Sequence, residues 1–209
     1  MEIVCLANSA KHGGRCLAGI NLDSGRWVRP VSDQQEGQLR SSAMKISAGG
    51  VIREVGPLDV IDLGPVRARP EVGQPENVVF ESGIASIGFR HSISINQLGK
   101  FIQREGNLLF GDLPYVPKAR ALDVRSSLAL IEVNEPRFWV SPNKPNQLRV
   151  CFDFAKVQYD LPVTDTAPWT VLAKRDPASA GDGRWLFTVS LGVPYYGKLY
   201  KLVACGMRW

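Results

Sequence analysis

The chain is short of the side chains from which most catalytic centres are built. Its 209 residues hold two histidines, His12 and His91, and four cysteines, Cys5, Cys16, Cys151 and Cys205, with no C-x-x-C spacing. Structural zinc sites draw on closely spaced Cys and His ligands, so free thiols, no metal and no cofactor are expected. No G-x-S-x-G, H-E-x-x-H or Walker A segment occurs, which removes the nucleophile-elbow, zinc-protease and P-loop classes. There is no apolar run of about 18 residues, the length a membrane helix needs. The first residues, Met-Glu-Ile-Val-Cys-Leu-Ala-Asn, lack the basic region of a secretion signal, and a cytoplasmic protein is expected.

What is present suits a folded chain. Hydrophobic residues make up 44% and charged residues 22%, close to ordinary globular usage. Twenty glycines and fourteen prolines leave little room for long helices. The net charge is +5: basic, but short of the balance that names a nucleic-acid partner by itself. The last 26 residues carry Arg184, Lys198, Lys201 and Arg208 and no acid.

Periodicity predicts strands throughout. Glu2-Ile-Val-Cys-Leu-Ala and Arg15-Cys-Leu-Ala-Gly-Ile flank a polar, Gly-containing run and read as a hairpin; Arg26-Trp-Val-Arg-Pro-Val alternates at period two and reads as a third strand. Residues 32–50 have no clear period and read as a loop with at most one helical turn. Leu58-Asp-Val-Ile-Asp-Leu and Val66-Arg-Ala-Arg complete four or five short strands, the spacing of a small barrel or sandwich. Ile95, Leu98, Phe101 and Ile102 share one helical face behind Ser94 as N-cap. Residues 103–125, with Leu113-Pro-Tyr-Val-Pro-Lys, read as a proline-rich connector. A second β-rich unit follows, with Leu148-Arg-Val-Cys-Phe-Asp-Phe alternating cleanly and Tyr200-Lys-Leu-Val-Ala-Cys at the end.

The run Cys5-Leu-Ala-Asn-Ser-Ala-Lys-His-Gly-Gly-Arg-Cys, with Gly25-Arg-Trp-Val-Arg-Pro-Val-Ser, Gln74-Pro-Glu-Asn and Val189-Ser-Leu-Gly, resembles a prokaryotic family of dual OB-fold domain proteins. The resemblance implies an all-β fold with one or two short helices: two consecutive five-stranded OB-like barrels, residues 1–92 and 127–209, joined by a helix and Pro-rich connector over 93–126. It also implies nucleic-acid binding, in a prokaryotic defence or conflict system. It names no ligand, because OB barrels bind several ligand classes.

Four constellations carry the candidate chemistry. Asn8, Ser9, Lys11, His12 and Arg15 read either as a donor-rich loop for a phosphate or nucleobase or as a plain hairpin turn. Trp27 is either a base-stacking platform or core; the core is favoured for the ring, with Arg29 presented at the surface by the bend at Pro30 and, if buried instead, needing Glu76 or Asp33 as partner. Gln74 and Asn77, with the Glu76 carboxylate between them, supply amides able to read base edges, or a loop that satisfies its own backbone. The acid-free end interleaves Trp185, Tyr195, Tyr196, Lys198, Tyr200 and Lys201, as a single-strand groove or a half-buried terminal strand does.

Three functions stay open. The first is a non-enzymatic module binding single-stranded DNA or RNA, preferred over duplex because no groove-entering helix is predicted. The second is a sensor for a nucleotide or modified nucleobase, with Asn8, Lys11, His12, Arg15 and Glu76 around one compact pocket. The third is a nucleic-acid-processing enzyme centred on His12. A Cys5–Cys16–His12 nucleophile requires the two thiols to face each other across the first hairpin; the apolar neighbours predict inert, buried thiols.

Overall fold

The computed structural model describes residues 1–11, 13–33, 37–81, 87–105, 108–111, 113–144 and 146–209, with Lys11 and Leu108 through their backbone. The chain divides into two compact units, Met1–Lys100 and Phe101–Trp209.

In the first unit, β1 (Glu2–Lys11), β2 (Gly14–Asn21), β3 (Trp27–Val31), β4 (Lys45–Ala48), β5 (Val51–Glu54), β6 (Asp59–Asp62), β7 (Val66–Ala68), β8 (Asn77–Phe80) and β9 (Gly88–Ser92) follow one another. Seven of them form a sheet in the order β7-β8-β3-β2-β1-β6-β9, while β4 and β5 pair as a separate hairpin. The expected four or five strands are thus exceeded. The stretch read as a loop holds a 3₁₀ turn, Ser41–Met44, and β4, whose four residues are too few for alternation to show in sequence. Ile3, Cys5, Leu17, Val28, Ile61 and Phe80 meet in the core.

Two local features set the shape of this sheet. Cys5 pairs with Gly19 and Ala7 with Ala18, so Leu6 is an extra residue that bends β1. Opposite the bulge the strands approach so closely that a Cβ on Gly19 would lie 2.2 Å from the Val4 carbonyl oxygen. The second feature is Pro30 inside β3. β2 pairs with β3 only at Trp27 and Val28, and the Arg29 N–H donates to the carbonyl oxygen of Glu76, the residue before the parallel neighbour β8. The proline nitrogen therefore faces the side where pairing has stopped, a place where a missing donor costs nothing.

The second unit comprises β10 (Tyr115–Pro117), β11 (Leu128–Asn134), β12 (Arg137–Val140), β13 (Leu148–Phe154), β14 (Val157–Pro162), helices α1 (Trp169–Arg175) and α2 (Pro177–Ala180), β15 (Arg184–Leu191) and β16 (Lys198–Arg208). One sheet runs β10-β16-β15-β11 and a second β12-β13-β14; the two are stitched where the Val163 N–H donates to Leu148 and the Thr164 N–H to Val203. The rings of Phe138, Phe152, Trp185 and Phe187 fill the space between them, with centroids 5.4 to 6.3 Å apart. Such tilted pairs contribute roughly 0.5–1.5 kcal/mol each beyond their burial.

The helix expected after Ser94 is a 3₁₀ helix, Ile95–Phe101, seated on buried Leu98. The connector is more structured than its prolines suggested: it holds β10 and a 3₁₀ helix, Lys118–Asp123. Proline is tolerated in β10 because that strand lies at a sheet edge. Asp165 ties α1 to β16, accepting from the Ala167 N–H, the Gly206 N–H and the Trp169 indole at 2.8 to 2.9 Å. Burial pushes this carboxyl above its usual range against those three donors. Among the described residues, no helix is long and apolar enough to cross a membrane.

The Gly19 contact gives a direct test. Gly19→Ala forces backbone against backbone and is expected to cost at least the roughly 1–3 kcal/mol of core overpacking in urea unfolding. Gly99→Ala, with nothing within 4 Å of the added carbon, is the control and leaves the midpoint unchanged or raised.

Candidate nucleic-acid interface

In the first unit the expected ligand-binding residues fall into two separate clusters. Strand β1 continues to Lys11 and β2 begins at Gly14, so the segment read as an open loop is mostly strand. Asn8 and Ser9 are buried at 7% and 4% exposure, and the Asn8 amide donates to the Val55 carbonyl at 2.8 Å. Arg15 donates to both carboxylate oxygens of Glu54, at 3.0 and 3.3 Å. His12 lies outside the described residues, as does the Lys11 side chain.

The second cluster surrounds the β3–β8 pair. Arg29 is buried, not presented at the surface as expected, and its Nε donates to Glu76 at 3.2 Å with both side chains under a tenth exposed. Of the two partners considered, Glu76 is the one used; Asp33 instead lies 3.7 Å from Arg69. The Asn77 amide donates to the Gln74 side-chain oxygen at 3.3 Å, and Gln74 and Glu71 exchange backbone hydrogen bonds. Gln74 and Asn77 are thus tied to each other within the loop, and Glu76 ties it to β3. Trp27 is half-buried opposite Ile20. Asn8 and Arg15 are held at the end of β5 and Glu76 on Arg29, so these contacts do not draw the sensor pocket's intended walls together. Nor do Cys5 and Cys16 face each other: Cys5 pairs with Gly19 and Cys16 with Ser9.

A third polar group, Arg53 with Asp59, has a pH signature. Burial alone would raise the Asp59 carboxyl, yet the Arg53 guanidinium, the Gly56 N–H and the Ser92 hydroxyl together hold it below its usual range. Among the described residues no three metal-ligating side chains cluster.

The second unit arranges its aromatic and basic residues differently. Along β16, Leu199, Lys201 and Val203 are buried at 0 to 1% exposure, while Tyr200 is 40% exposed and Lys198 half-buried on the opposite face. Register places Tyr115 of β10 directly across from Tyr200, and Pro117 across from Lys198. The Tyr115 and Tyr200 ring centroids are 5.9 Å apart and the Lys198 ammonium sits 4.2 Å from the centre of the Tyr115 ring, a cation–π contact. The chain enters β16 through a tight turn: Tyr195 and Lys198 exchange backbone hydrogen bonds at 2.8 and 3.1 Å, with Tyr196 at φ 46° and Gly197 at φ 73°. Two central residues with positive φ make a hairpin turn of the primed kind. Glycine accepts this conformation, whereas a bulky tyrosine does so at a cost. That tyrosine is 84% exposed, and its ring meets Tyr195, 63% exposed, at 4.5 Å.

The C-terminal strip is therefore divided. Tyr195, Tyr196, Lys198 and Tyr200 lie at the surface. Trp185 is 4% exposed in the core, and Lys201 is 1% exposed, its ammonium donating to the Gly111 carbonyl beneath the Tyr159 ring; both leave the expected surface set, because strand alternation turns them inward. Tyr115 was missed by sequence reasoning. Its only signal is an aromatic set between Pro114 and Pro117, a pattern that suits an edge strand.

Two successive strand-rich units make the chain a pair of OB-like β-barrels. It belongs to the dual OB-containing domain family, whose sequence profile matches residues 1–205. No curated protein matches the chain. Among solved structures, the crystal structure of the tetrameric p202 HIN2 is similar over 99% of this chain and 89% of that one, at 9% sequence identity and a TM-score of 0.32.

Two stability tests follow from the buried charges. Removing one partner of a buried pair strands the other, so Arg29→Ala is expected to cost about 3–5 kcal/mol in chemical denaturation. For Asp59, a depressed folded-state pKa contributes stability that is present above the unfolded value of about 3.9 and is lost as pH falls below it. Melting temperatures from pH 6 down to 2 are expected to fall more steeply for the natural protein than for Asp59→Asn, which starts lower and changes less.

Proposed function

We propose that this dual OB-fold protein binds single-stranded DNA or RNA, using the exposed edge of its second unit made by Tyr115, Tyr195, Tyr196, Lys198 and Tyr200. The observation that carries the reading is the two-sided arrangement of β16. Its inward face is sealed by Leu199 and Val203, while its outward face and the preceding turn expose rings around a lysine. Tyrosine faces accept any base by stacking, and a nearby ammonium serves the phosphate backbone. Lys118, exposed, follows β10 directly, with its N–H on the Gly197 carbonyl, and adds charge beside the turn.

The strain at Tyr196 supports the same reading. A bulky residue held at positive φ persists where the surroundings demand it, and such outliers cluster at binding sites. Here the turn fixes an exposed ring rather than a buried one. A duplex hides its base faces, so stacking recognition favours unpaired strands.

Fluorescence anisotropy with mixed-sequence oligonucleotides tests this at two salt concentrations. The logarithm of affinity is expected to fall against log salt with a slope of about −0.7 for each phosphate neutralised. Tyr115→Ala and Tyr200→Ala should each lose roughly 1–3 kcal/mol of affinity while melting close to the natural protein. Equal affinity for duplex and single strands, or no binding at low salt, overturns the reading.

A further inference from the structure

A second concave site lies elsewhere in the second unit, where α1 and α2 cover the start of β15 and the end of β16. The cavity is about 430 Å³, inside the roughly 300–1,000 Å³ range of small-molecule sites. Its inner wall is aromatic and apolar: Trp169, Leu172, Ala173, Ala180 and Trp185 line it, together with Gly206.

Glycine at 206 is what gives this wall its flatness. A Cβ there would lie 2.7 Å from the six-membered ring of Trp169, so the indole rests directly on strand backbone. The Trp169 ring is fixed from its other end by the hydrogen bond from its N–H to Asp165 at 2.8 Å, and from the side by Trp185, whose centroid is 5.1 Å away. A ring clamped in this way loses little freedom when a second ring packs on it. Trp185 also carries a buried indole N–H with no acceptor among the described residues.

The rim is cationic. Arg175 ends α1 and Arg208 ends β16; both are exposed, both line the cavity, and neither forms an ion pair among the described residues. Asp176, also in the lining, accepts from the backbone N–H and hydroxyl of Ser179, at 3.3 and 2.6 Å, and leaves two guanidinium groups to one carboxylate there. Leu172, 65% exposed, leaves an apolar side chain at the mouth.

We propose that this cavity binds a planar aromatic anion of nucleotide size, its ring packed against the clamped Trp169 indole and its charge taken by Arg175 and Arg208. Stacking on indole and bidentate guanidinium contacts to phosphate are the two interactions these groups make best. The site shares no residue with the tyrosine edge, so it stands or falls independently of the single-strand reading.

Titration of the full chain with AMP, GMP, CMP and UMP, followed by tryptophan fluorescence and calorimetry, tests the proposal. Saturable quenching by at least one nucleotide is expected, with its nucleoside about tenfold weaker or worse, since loss of a charge-assisted contact is worth more than 1.4 kcal/mol. Arg175→Ala with Arg208→Ala, and separately Leu172→Glu, should weaken the nucleotide by a similar factor. Tyr115→Ala with Tyr200→Ala should leave it unchanged. Competition separates two sources of the ligand: displacement of AMP by a 5′-phosphorylated oligonucleotide, and not by its 5′-hydroxyl counterpart, identifies a strand terminus, whereas displacement by neither identifies a free nucleotide. No saturable response to any of the four at millimolar concentration, equal binding of nucleoside and nucleotide, or indifference to the arginine substitutions overturns the proposal.

Discussion

The side-chain alternation of β16 governs the second unit. This strand is hydrogen-bonded on both sides, by β15 along its length and by β10 at its beginning, so its register is fixed twice over. A slip of one residue would drive Tyr200 and Lys198 inward and expose Leu199 and Val203, losing core and outer edge together. The pattern is not uniform along the strand. Ala204 is an extra residue opposite the Thr188–Val189 step, and beyond that bulge consecutive residues from Val203 to Met207 are buried. The bulge converts a strand with one wet face into one covered on both, and it delivers Gly206 beneath α1.

The candidate site residues of the two units are placed in contrasting ways. In the first, the guanidinium of Arg29, the carboxylate of Glu76 and the amides of Asn8 and Asn77 are turned inward, where each requires partners to offset desolvation. Such groups tie strand to strand within the unit. In the second, the tyrosines and Lys198 contact chiefly one another at the surface, and Arg175 and Arg208 form no ion pair among the described residues. The same residue types that look alike in sequence thus do opposite work.

Much of this was legible from residue order. The opening hairpin, the clean alternation of Leu148–Phe154 and the terminal strand all follow from period two, and the aromatic-basic character of the end of the chain is plain to read. What sequence could not give is pairing over distance. Arg29 and Glu76 are 47 positions apart, and nothing local distinguishes a buried arginine from a solvated one. Helix α1 has seven residues, fewer than the periodicity of a helix needs, and it leaves Val171 and Leu172 exposed. Tyr115 sits among prolines that ordinarily argue against a strand, so the partner of Tyr200 was hidden by its own neighbours.

One of those prolines has another effect. An edge strand offers unpaired backbone groups that invite a second molecule to add on, and residues lacking an N–H blunt that invitation. β10 is such an edge, and it ends in Pro117, whose nitrogen lies on the open side, since Pro114 and Lys118 bond to Lys201 and Gly197 on the β16 side. The row of rings it helps to build lies beside that open side. By withholding an N–H on that side, Pro117 makes the sheet a poor template for growth beside the tyrosine row.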